Sequence, residues 1–462
     1  MEYSAFEKVP QKDRSYSFKD QFVVWFSSCS LPAAWYYGAL MAGWQGIGGA
    51  LILIFIVNTL SLLPWAYLGE IAAKSGASSM AIVRPAFGIK GSVVPSIFYL
   101  VMGIGWAVVN VFLGAIALSF IFKLWLGWPS YLDANNLIYM TGYIFMVCLL
   151  QGYFAVSGHQ ILKKLQWIAT VFFILLGMYQ TYVVFSHWGV GALLSWRPDK
   201  ILTAAVGPFN YRITFALLVD LLIAYNWTWE FIGDFSRFAK DKKAGTWGPF
   251  WGANIAQYWW FLVGALAVVY LSVTTGQYSP LLADPSSTTV SLGLGWLAAI
   301  IVLLATITTN AANIYASALG FSNILIEKKA SFDSLLKFSA WLVVPLSLIP
   351  LFSASFVGFY IFFLDFVGAI VVPLWTITLV DYFIIHKRNY TDDMFEKKKG
   401  RYWYQNGWNR EAVASLLAGT IIYWLFAYVF INIRESVTAT IPTIILVTII
   451  YFKLKHNNVP KI

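Results

Sequence analysis

Twelve apolar runs follow one another along the chain and are separated by short polar connections. A helix needs about 20 predominantly apolar residues to cross the hydrocarbon core of a bilayer. The pattern therefore predicts an all-α polytopic membrane protein with 12 transmembrane helices and no sizeable soluble domain between them. The predicted spans are 21–43, 45–69, 93–122, 136–155, 164–186, 213–233, 247–272, 291–320, 335–352, 354–384, 411–433 and 436–452.

Two of these runs contain polar residues that would break a simple lipid-facing helix. In the first run, Ser27, Ser28 and Ser30 precede Pro32. Proline lacks a backbone N–H and clashes with the preceding turn, so we expect the helix to break there and leave carbonyl groups near Ser27 and Ser30 free. The sixth run is the second candidate for a broken helix, because its aromatic sequence is interrupted by Asp220, Asn226, Thr228 and Glu230.

The two interrupted runs stand at matching positions, first and sixth, of two halves with five spans each. Broken helices at corresponding positions are typical of transporters built from inverted repeats, although two ordinary kinked helices would give the same pattern. The expected divisions are a tail at 1–20, repeats at 21–190 and 191–385, a loop at 386–409, two further spans in 410–453 and a tail at 454–462.

Composition and charge agree with this interpretation. Hydrophobic residues make up 59% of the chain and charged residues 11%, which excludes an ordinary soluble globule. With the amino terminus inside, all but five of the 31 Lys and Arg residues fall on cytoplasmic connections, as the positive-inside rule requires. We therefore expect an inner or plasma membrane location with both termini cytoplasmic. The net charge of +10 then faces anionic headgroups of the lipid bilayer and needs no nucleic-acid partner. The five external residues are Lys123, Arg197, Lys200, Arg212 and Arg434.

Motifs that would indicate an enzyme or a pump are missing. The chain has no H-E-x-x-H metal motif, no G-x-S-x-G elbow and no Walker motif. Cys29 and Cys148 both fall within predicted spans, which argues against a disulfide framework. A transporter is the leading hypothesis, and an ion channel is the alternative from another class. The broken spans and the lack of a repeated filter sequence oppose the channel.

Four stretches resemble the nucleobase–cation symporter-1 family, which includes the bacterial cytosine permeases and the hydantoin permease. The resemblance implies a leucine-transporter-like core of five plus five spans with two additional C-terminal helices. It also implies sodium-coupled symport of a small heteroaromatic compound by alternating access. We expect the protein to function as a monomer. The stretches are GEIAAKSGASSMAIVRPAFGIKGSVVPS at 69–96, followed by IGW at 104–106; DFSRFAKDKKA at 234–244; TTNAANIYASALGFSNI at 308–324; and VDYFIIHKRNY at 380–390.

The resemblance also implies positions for the substrate. Trp106 aligns with the tryptophan that stacks on one face of the substrate ring in this family, and Asn110 shares its helix face one turn later. Tyr225 lies nine residues before Asp234, the spacing at which the family places the aromatic residue that covers the other face. Trp227 is a competitor for this second position.

The chain departs from the cytosine permeases around this site. Gly103 stands where those proteins carry a glutamine, and Ala224 and Trp227 stand in place of two serines. The polar contacts to a cytosine edge are therefore missing, so the cargo could equally be another nucleobase, a hydantoin-like ring or a thiamine-precursor pyrimidine. A different pattern of donors and acceptors could come from Asn110, Asn226, Asn310 and Asn313.

Span eight also carries a candidate site for a cation. Ala305, Thr308 and Thr309 fall within one helical turn, so one carbonyl and two hydroxyl oxygens can converge on a small ion. Carbonyls near Ser27 and Ser30 would complete a shell of neutral oxygens, and the resemblance supports Na⁺ at these positions. The alternative is that the threonine hydroxyls merely bond back to carbonyls one turn earlier, which is common in membrane helices.

Several acidic residues within the spans allow a second mode of coupling. Glu230 is the candidate for coupling to H⁺ instead of sodium, because an unpaired carboxylate in a bilayer tends to face a cavity or to titrate. Asp234 and Arg237 are three residues apart and could form a local ion pair or act in gating. For Asp220 we favour a structural role nearer the external surface, and Asp365 fits either a structural or a functional role.

Overall fold

A computed structural model describes residues 7–156, 159–198, 203–206, 209–276, 284–325, 331–353 and 356–457. Helices account for almost all of this part of the chain, and one antiparallel pair of short strands, Thr203–Val206 and Phe209–Arg212, lies before span 6. The predicted all-α membrane architecture is confirmed. The outer parts of both predicted tails, 1–6 and 458–462, and Lys200 lie outside the described residues.

The helices keep the numbers of the predicted spans. Ten helices in the described ranges are long and apolar enough to cross a membrane, or eleven if the bent pair Ile431–Val437 and Thr440–His456 counts as one span. The count of twelve therefore stays a prediction. One of the ten, Pro32–Ser75, contains Gly46 with a non-helical φ of 66° and ψ of 177°, and this position separates span 1 from span 2.

The bounds of the helices follow, each with the number of its predicted span in parentheses. They are Phe18–Cys29 and 32–45 (span 1), 47–75 (2), Val93–Leu126 (3), Leu137–Val156 (4), His159–His187 (5), Phe215–Trp227 and Ile232–Ser236 (6), Lys242–Thr275 (7), Gly295–Ile324 (8), Phe332–Leu346 (9), Phe356–Val380 continued by Asp381–Ile385 (10), Arg410–Tyr428 (11) and Thr440–Asn457 (12).

Span 1 is broken where the sequence predicts. Its first half ends at Cys29, Ser30 leaves the helical conformation with φ −86° and ψ 82°, and Leu31 is extended. Pro32 then takes the first position of the second half, where its missing N–H costs nothing. Because Pro32 has no N–H, the carbonyl of Ser28 lacks a donor four residues later.

Span 6 is also broken, which confirms the second expectation. Its first half ends at Trp227 and its second half begins at Ile232, so Thr228 to Phe231 cross the break without a regular helix. Spans 1 and 6 therefore each consist of two half-helices on opposite sides of a break.

Small residues allow close contact between the helices around these breaks. A Cβ atom on Gly38 would lie 2.0 Å from the carbonyl oxygen of Phe261, and one on Gly264 would lie 1.9 Å from that of Trp35. The backbones of spans 1 and 7 therefore touch, as is common in membrane proteins. Span 3 is buried along most of its length and forms the centre of the molecule. Side chains more than half exposed, as expected for a lipid-facing surface, include Leu149 (span 4), Tyr182 (5), Trp341 (9), Ile421 (11) and Ile445 (12).

The connection after span 2 and the loop at 386–409 form one folded layer at the end of the helices. Arg84 Nη1 donates to the carbonyl of Met394 at 3.0 Å, and the main-chain N–H of Lys90 donates to the carbonyl of Gly407 at 2.7 Å. Burial lowers the pKa of Arg84 to about 9. Gly88, with φ +88°, permits the tight turn between these contacts. Residues 84–90, which belong to the stretch at 69–96, are therefore held in a fixed position by the loop at 386–409.

The segment before span 1 is fixed to the ends of other spans. The N–H of Val9 donates to the carbonyl of Gly76 at 3.0 Å, and Arg14 Nη1 donates to that of Ala73 at 2.8 Å. Tyr16 forms main-chain hydrogen bonds with Phe238 and Lys240 at 2.9 Å each. The first half of span 1 is thus tied, through residues 9–16, to the ends of spans 2 and 6.

Candidate functional site

A small cavity lies where the breaks in spans 1 and 6 meet spans 3 and 8. The gaps between atoms there, counted together with the open space that adjoins them, amount to about 290 Å³. The break in span 1 contributes one lining residue, the break in span 6 contributes three, and spans 3 and 8 contribute two each. These residues are Leu31, Trp106, Asn110, Thr228, Trp229, Phe231, Thr309 and Asn313.

A larger vestibule adjoins this cavity on one side, and its empty space, counted with the open space at its mouth, amounts to about 1480 Å³. Cavity and vestibule share the lining residues Trp229, Phe231, Thr309 and Asn313. The vestibule extends along the first half of span 1, past Ser27, and along the second half of span 6, past Asp234. The cavity is therefore continuous with open space on the side where these two half-helices lie.

On the side away from the vestibule, aromatic side chains close the cavity. Two of them, Tyr37 and Tyr225, belong to the second half of span 1 and the first half of span 6. Trp106 meets Tyr225 edge to face, with ring centroids 5.4 Å apart and planes at 87°, and Phe363 of span 10 in the same way at 5.4 Å and 89°. Tyr225 in turn stacks on Tyr37 of span 1 at 5.6 Å. We call this cluster the aromatic plug; it comprises Tyr36, Tyr37, Trp106, Tyr225, Phe356, Tyr360 and Phe363.

Trp106 and Asn110 both line the cavity, as the sequence predicts. Asn110 Nδ2 donates to the carbonyl of Trp106 at 3.0 Å, which fixes the orientation of the amide. The other amide atom, Asn110 Oδ1, is buried and accepts no hydrogen bond from the described residues. Asn110 therefore offers a free acceptor at the cavity.

Three predicted binding residues of span 6 do not reach the cavity. Tyr225 is fully buried in direct contact with Trp106, so no substrate ring fits between the two. Asn226 Nδ2 donates to Ser61 Oγ at 2.6 Å and Trp227 Nε1 to the Ser61 carbonyl at 2.8 Å, so both side chains face span 2. The reason is helical geometry, because these residues form the last regular turn before the break and their side chains follow its packed faces.

Two aromatic residues of span 6, Phe231 and Trp229, line the cavity, and neither is among the binding residues predicted from the sequence. Trp229 is the one that carries a polar atom. It lies within the break, where the chain leaves the helical path, and its side chain lines both cavity and vestibule. Its Nε1 atom is buried without a hydrogen-bond partner in the described part of the chain. Its carbonyl accepts a hydrogen bond from Trp65 Nε1 at 2.8 Å, which fixes the backbone. In the sequence, the cluster of aromatic residues in NWTWEF, 226–231, is the feature that could have indicated Trp229.

The two asparagines of span 8 have different positions. Asn313 lines both cavity and vestibule, and its Nδ2 donates to Asn310 Oδ1 at 3.2 Å. Asn310 is buried behind it, donating to the carbonyl of Ala107 at 3.0 Å and to Gln151. Asn313 is thus available to a ligand, whereas Asn310 orients Asn313 and joins span 8 to spans 3 and 4.

The threonine hydroxyls of the predicted ion site bond back along their own helix. Thr308 Oγ1 donates to the carbonyls of Leu304 at 2.9 Å and Ala305 at 3.1 Å, and Thr309 Oγ1 donates to Ala305 at 2.9 Å. This is the alternative arrangement foreseen from the sequence. A hydroxyl that donates its proton keeps its lone pairs, so these bonds leave both oxygens able to accept.

Of the two predicted ligands in span 1, Ser27 is among the described residues that line the vestibule and Ser30 is not. Ser27 lines the vestibule together with Thr309. Ser30 Oγ donates to the carbonyl of Phe26 at 2.7 Å, and the Ser30 N–H donates to that of Ser27 at 3.2 Å. Span 1 and span 8 therefore contribute neutral oxygens to the same open space.

Two acidic residues of span 6 are buried, Glu230 within the break and Asp234 after it, and Asp234 also lines the vestibule. Glu230 is 3% exposed, and its Oε2 atom has no hydrogen-bond partner among the described residues. Asp234 accepts hydrogen bonds from Tyr99 Oη at 3.2 Å and from the Ser79 N–H at 3.4 Å. The guanidinium of Arg237 lies 5.1 Å from the ring centroid of Phe238. Asp234 therefore links span 6 to span 3, while Glu230 retains a free carboxyl oxygen.

Asp220 and Asp365 lie away from the cavity and are both paired with Arg434. Arg434 Nε donates to Asp220 Oδ2 at 3.0 Å and Nη2 to Asp365 Oδ1 at 2.6 Å. The prediction of a structural role for Asp220 agrees with this contact. Arg434 itself is only 4% exposed, so it is not the free residue of an external loop that its position in the charge pattern suggested.

Known permeases resemble this chain along most of its length. Relatives include the allantoin permease of Bacillus subtilis (strain 168), 27% identical over 399 residues that cover 81% of this chain and 77% of the relative. The cytosine permease of Escherichia coli (strain K12) is 27% identical over 384 residues, 83% of this chain and 81% of the relative. The purine-uracil permease NCS1 of Arabidopsis thaliana is 25% identical over 447 residues that cover 88% of this chain and 68% of the relative.

Two solved structures share the fold. The inward-facing conformation of Mhp1 matches with a TM-score of 0.78 and 18% identity, covering 99% of this chain and 96% of Mhp1. The closed conformation of Mhp1 with bromovinylhydantoin bound matches with a TM-score of 0.72 and 18% identity, covering 98% of this chain and 96% of Mhp1.

Residues 8–442, which are most of the chain, match the family described as permeases for cytosine/purines, uracil, thiamine and allantoin. This match spans the broken helices, the cavity and the plug together. The protein is therefore a multi-pass membrane transporter, not an enzyme, and it belongs to this permease family, the nucleobase–cation symporter-1 family.

Proposed function

We propose that this transporter binds a small heteroaromatic compound, a nucleobase, hydantoin or related pyrimidine, in the cavity between Trp106 and Trp229. The observation that carries the proposal is a cavity at the meeting point of the two helix breaks that is lined by Trp106, Trp229 and Phe231, open to a vestibule on one side and closed by the plug on the other. This is the arrangement that alternating access requires, since the site must communicate with one side at a time.

The polar groups at the cavity suit a ring with both N–H and C=O groups on its edge. Trp229 Nε1 is a free donor and Asn110 Oδ1 a free acceptor, while Asn313 provides an amide at the rim. A buried polar group without a partner costs roughly 1–3 kcal/mol, so a ligand that pairs with these atoms recovers that cost on binding. Aromatic rings next to a flat ligand add roughly 0.5–1.5 kcal/mol for each good contact.

The vestibule is the cytoplasmic side in this proposal. It lies along the half-helices that continue to residues 9–16 and to Lys240, Lys242 and Lys243, and the positive-inside rule assigns such basic connections to the cytoplasm. The protein would then face inward, in a plasma or inner membrane, with both termini cytoplasmic. A single chain contains the whole cavity, which supports function as a monomer.

Coupling to Na⁺ would use the neutral oxygens of span 8 and the break in span 1. Thr308, Thr309 and the Ala305 carbonyl, with carbonyls near Ser27 and Ser30, are the oxygen ligands that a weakly held hard cation prefers. We expect the double change Thr308→Val and Thr309→Val to remove the sodium dependence of substrate binding while span 8 stays intact. Substrate affinity that still rises with sodium to the original extent in this variant would place the ion elsewhere.

Coupling to H⁺ is the second candidate, and the free Oε2 atom of Glu230 is the observation that favours it. Glu230→Gln keeps the size and removes the titrating group. If a proton is the coupling ion, uptake by this variant loses its dependence on a pH gradient and keeps any response to sodium. If sodium is the coupling ion, Glu230→Gln keeps the sodium dependence of uptake, and a pH gradient has the same effect on the variant as on the original protein.

A thermal-shift panel of allantoin, cytosine, uracil and hydantoin tests the proposed substrate class, since a ligand of the folded state raises its apparent stability. We expect at least one compound to raise the melting temperature of the purified protein and to lose this effect in Trp106→Ala. Trp44→Ala is the matched control, because Trp44 is also buried but does not line the cavity or the vestibule. A shift that survives in Trp106→Ala, or that is lost equally in Trp44→Ala, contradicts the proposed site.

A further inference from the structure

Three charged side chains that the proposed transport cycle does not use are buried together on the plug side. Asp220 belongs to span 6, Asp365 to span 10, and Arg434 to the short helix Ile431–Val437 that connects spans 11 and 12. All three are 4% exposed or less. Arg434 lies between the two carboxylates, with hydrogen bonds of 3.0 Å to Asp220 and 2.6 Å to Asp365.

The remaining carboxylate oxygens are also paired. Asp220 accepts the main-chain N–H groups of Ala439 and Thr440, both at 2.9 Å. Asp365 accepts the hydroxyls of Tyr423 at 3.2 Å and Tyr428 at 2.7 Å. Burying three charges is costly even when they are paired, and such clusters are retained in some proteins because they specify one conformation. The cluster is therefore a candidate for a conformational role.

The cluster joins the two helices of the second half that carry plug residues. Asp220 lies five residues before Tyr225 in span 6, and Asp365 lies two residues after Phe363 in span 10. Both aromatic rings contact Trp106 of span 3 edge to face. A movement that separates spans 6 and 10 would therefore open the plug and stretch the contacts of Arg434 at the same time.

We propose that Arg434 is a latch that keeps the plug side closed. Opening of that side then requires Arg434 to release Asp220 while it keeps Asp365. Asp220 is the partner released because span 10 packs along both span 11 and span 12, whereas span 6 meets that pair chiefly at the connecting helix. The two spans outside the repeats thus control access on one side of the membrane.

This inference rests on the proposed alternating access, and it is tested without any substrate. Asp220→Asn keeps the shape of the side chain and leaves Arg434 paired with Asp365, so no charge is left alone. The test uses purified protein in detergent, where a maleimide reaches both sides. The two native cysteines are replaced by alanine, and one reporter cysteine is introduced, at Tyr36 in the plug or at Ser28 at the vestibule.

We expect Asp220→Asn to raise the labelling rate of the Tyr36→Cys reporter several-fold and to lower that of the Ser28→Cys reporter. Asp133→Asn is the matched control, because it removes an exposed pair with Lys123 at 2.7 Å and should change neither rate. Unchanged rates at both reporters would overturn the latch. A rise at both would indicate a loosened fold and would overturn it equally.

Asp365→Asn keeps the proposal testable if Asp220→Asn does not fold. This variant leaves Arg434 paired with Asp220 but detaches span 10, and we expect the same opposite changes at the two reporters. If neither variant folds, the cluster has a structural role and the latch is wrong. A failed ligand panel with a successful labelling result would reject the proposed substrate class and leave the latch standing.

Discussion

The substitution Trp229→Ala should weaken substrate binding, because Trp229 lines the cavity and Tyr225 does not. The family spacing selects Tyr225, whereas the structure places Trp229 at the cavity and buries Tyr225 behind Trp106. The expected loss for Trp229→Ala has two parts. One is a ring contact worth roughly 0.5–1.5 kcal/mol, and the other is a hydrogen bond from Nε1 worth roughly the same.

Together these parts give roughly 1–3 kcal/mol, or about a 5-fold to 150-fold weaker dissociation constant. Trp229→Phe keeps a ring and loses only the N–H, so it should weaken binding by about 2-fold to 10-fold. Tyr225→Phe should leave affinity unchanged, because the hydroxyl it removes is buried without a partner in the described part of the chain. The assay is isothermal titration with whichever of allantoin, cytosine, uracil and hydantoin gives the largest thermal shift.

Stability must be measured alongside, because Trp229 also packs on Phe231, with ring centroids 5.6 Å apart, and on Trp25 at 6.1 Å. Melting temperatures without ligand show whether the variants fold, and Trp44→Ala again controls for the loss of a buried tryptophan. Full affinity in folded Trp229→Ala would refute the assignment. Weaker binding in folded Tyr225→Leu, with Trp229→Ala unaffected, would show that the family spacing was the better guide.

Three further predictions concern packing and topology. Gly103→Gln should lower the melting temperature instead of restoring cytosine binding, because a Cβ at this position would lie 2.5 Å from Ser317 Oγ. The control is Ala107→Gly, a small change nearby in span 3 that should retain the fold. Asn310→Ala should weaken ligand binding through Asn313, whereas Asn310→Asp should retain part of the affinity by preserving an acceptor for the Asn313 amide, as titration can measure. A cysteine introduced at Lys398 should resist an impermeant reagent on intact cells and react after permeabilisation, and labelling from outside would reverse the proposed orientation.

The sequence was sufficient for features that depend on local backbone chemistry. Pro32 after three serines placed the first break to within a few residues, and the polar residues after Asp220 placed the second. Trp106 and Asn110 were also found, because a four-residue spacing on a regular helix fixes their common face. Tyr225, Asn226 and Trp227, which spacing also selects, do not line the cavity, since an alignment across a break does not say where regular geometry ends.

Features that depend on contacts between distant segments were not accessible from one sequence. Gly103 looked like a lost glutamine, but its small size is what lets span 3 approach Ser317 of span 8. Arg434 looked like an external loop residue, because a charge count records the side of the membrane and not burial. Its two carboxylate partners are more than 60 residues away in the chain, so only the packed structure brings them together.

The attachment of residues 9–16 has a practical meaning for handling the protein. These residues bond to the ends of spans 2 and 6, and the half-helix that follows them borders the vestibule. An affinity tag fused at the amino end lies next to this attachment, so we expect it to disturb the conformation more than a tag placed elsewhere. The carboxyl end follows span 12, which does not border the vestibule, and is therefore the better place for a tag when conformational states are to be compared.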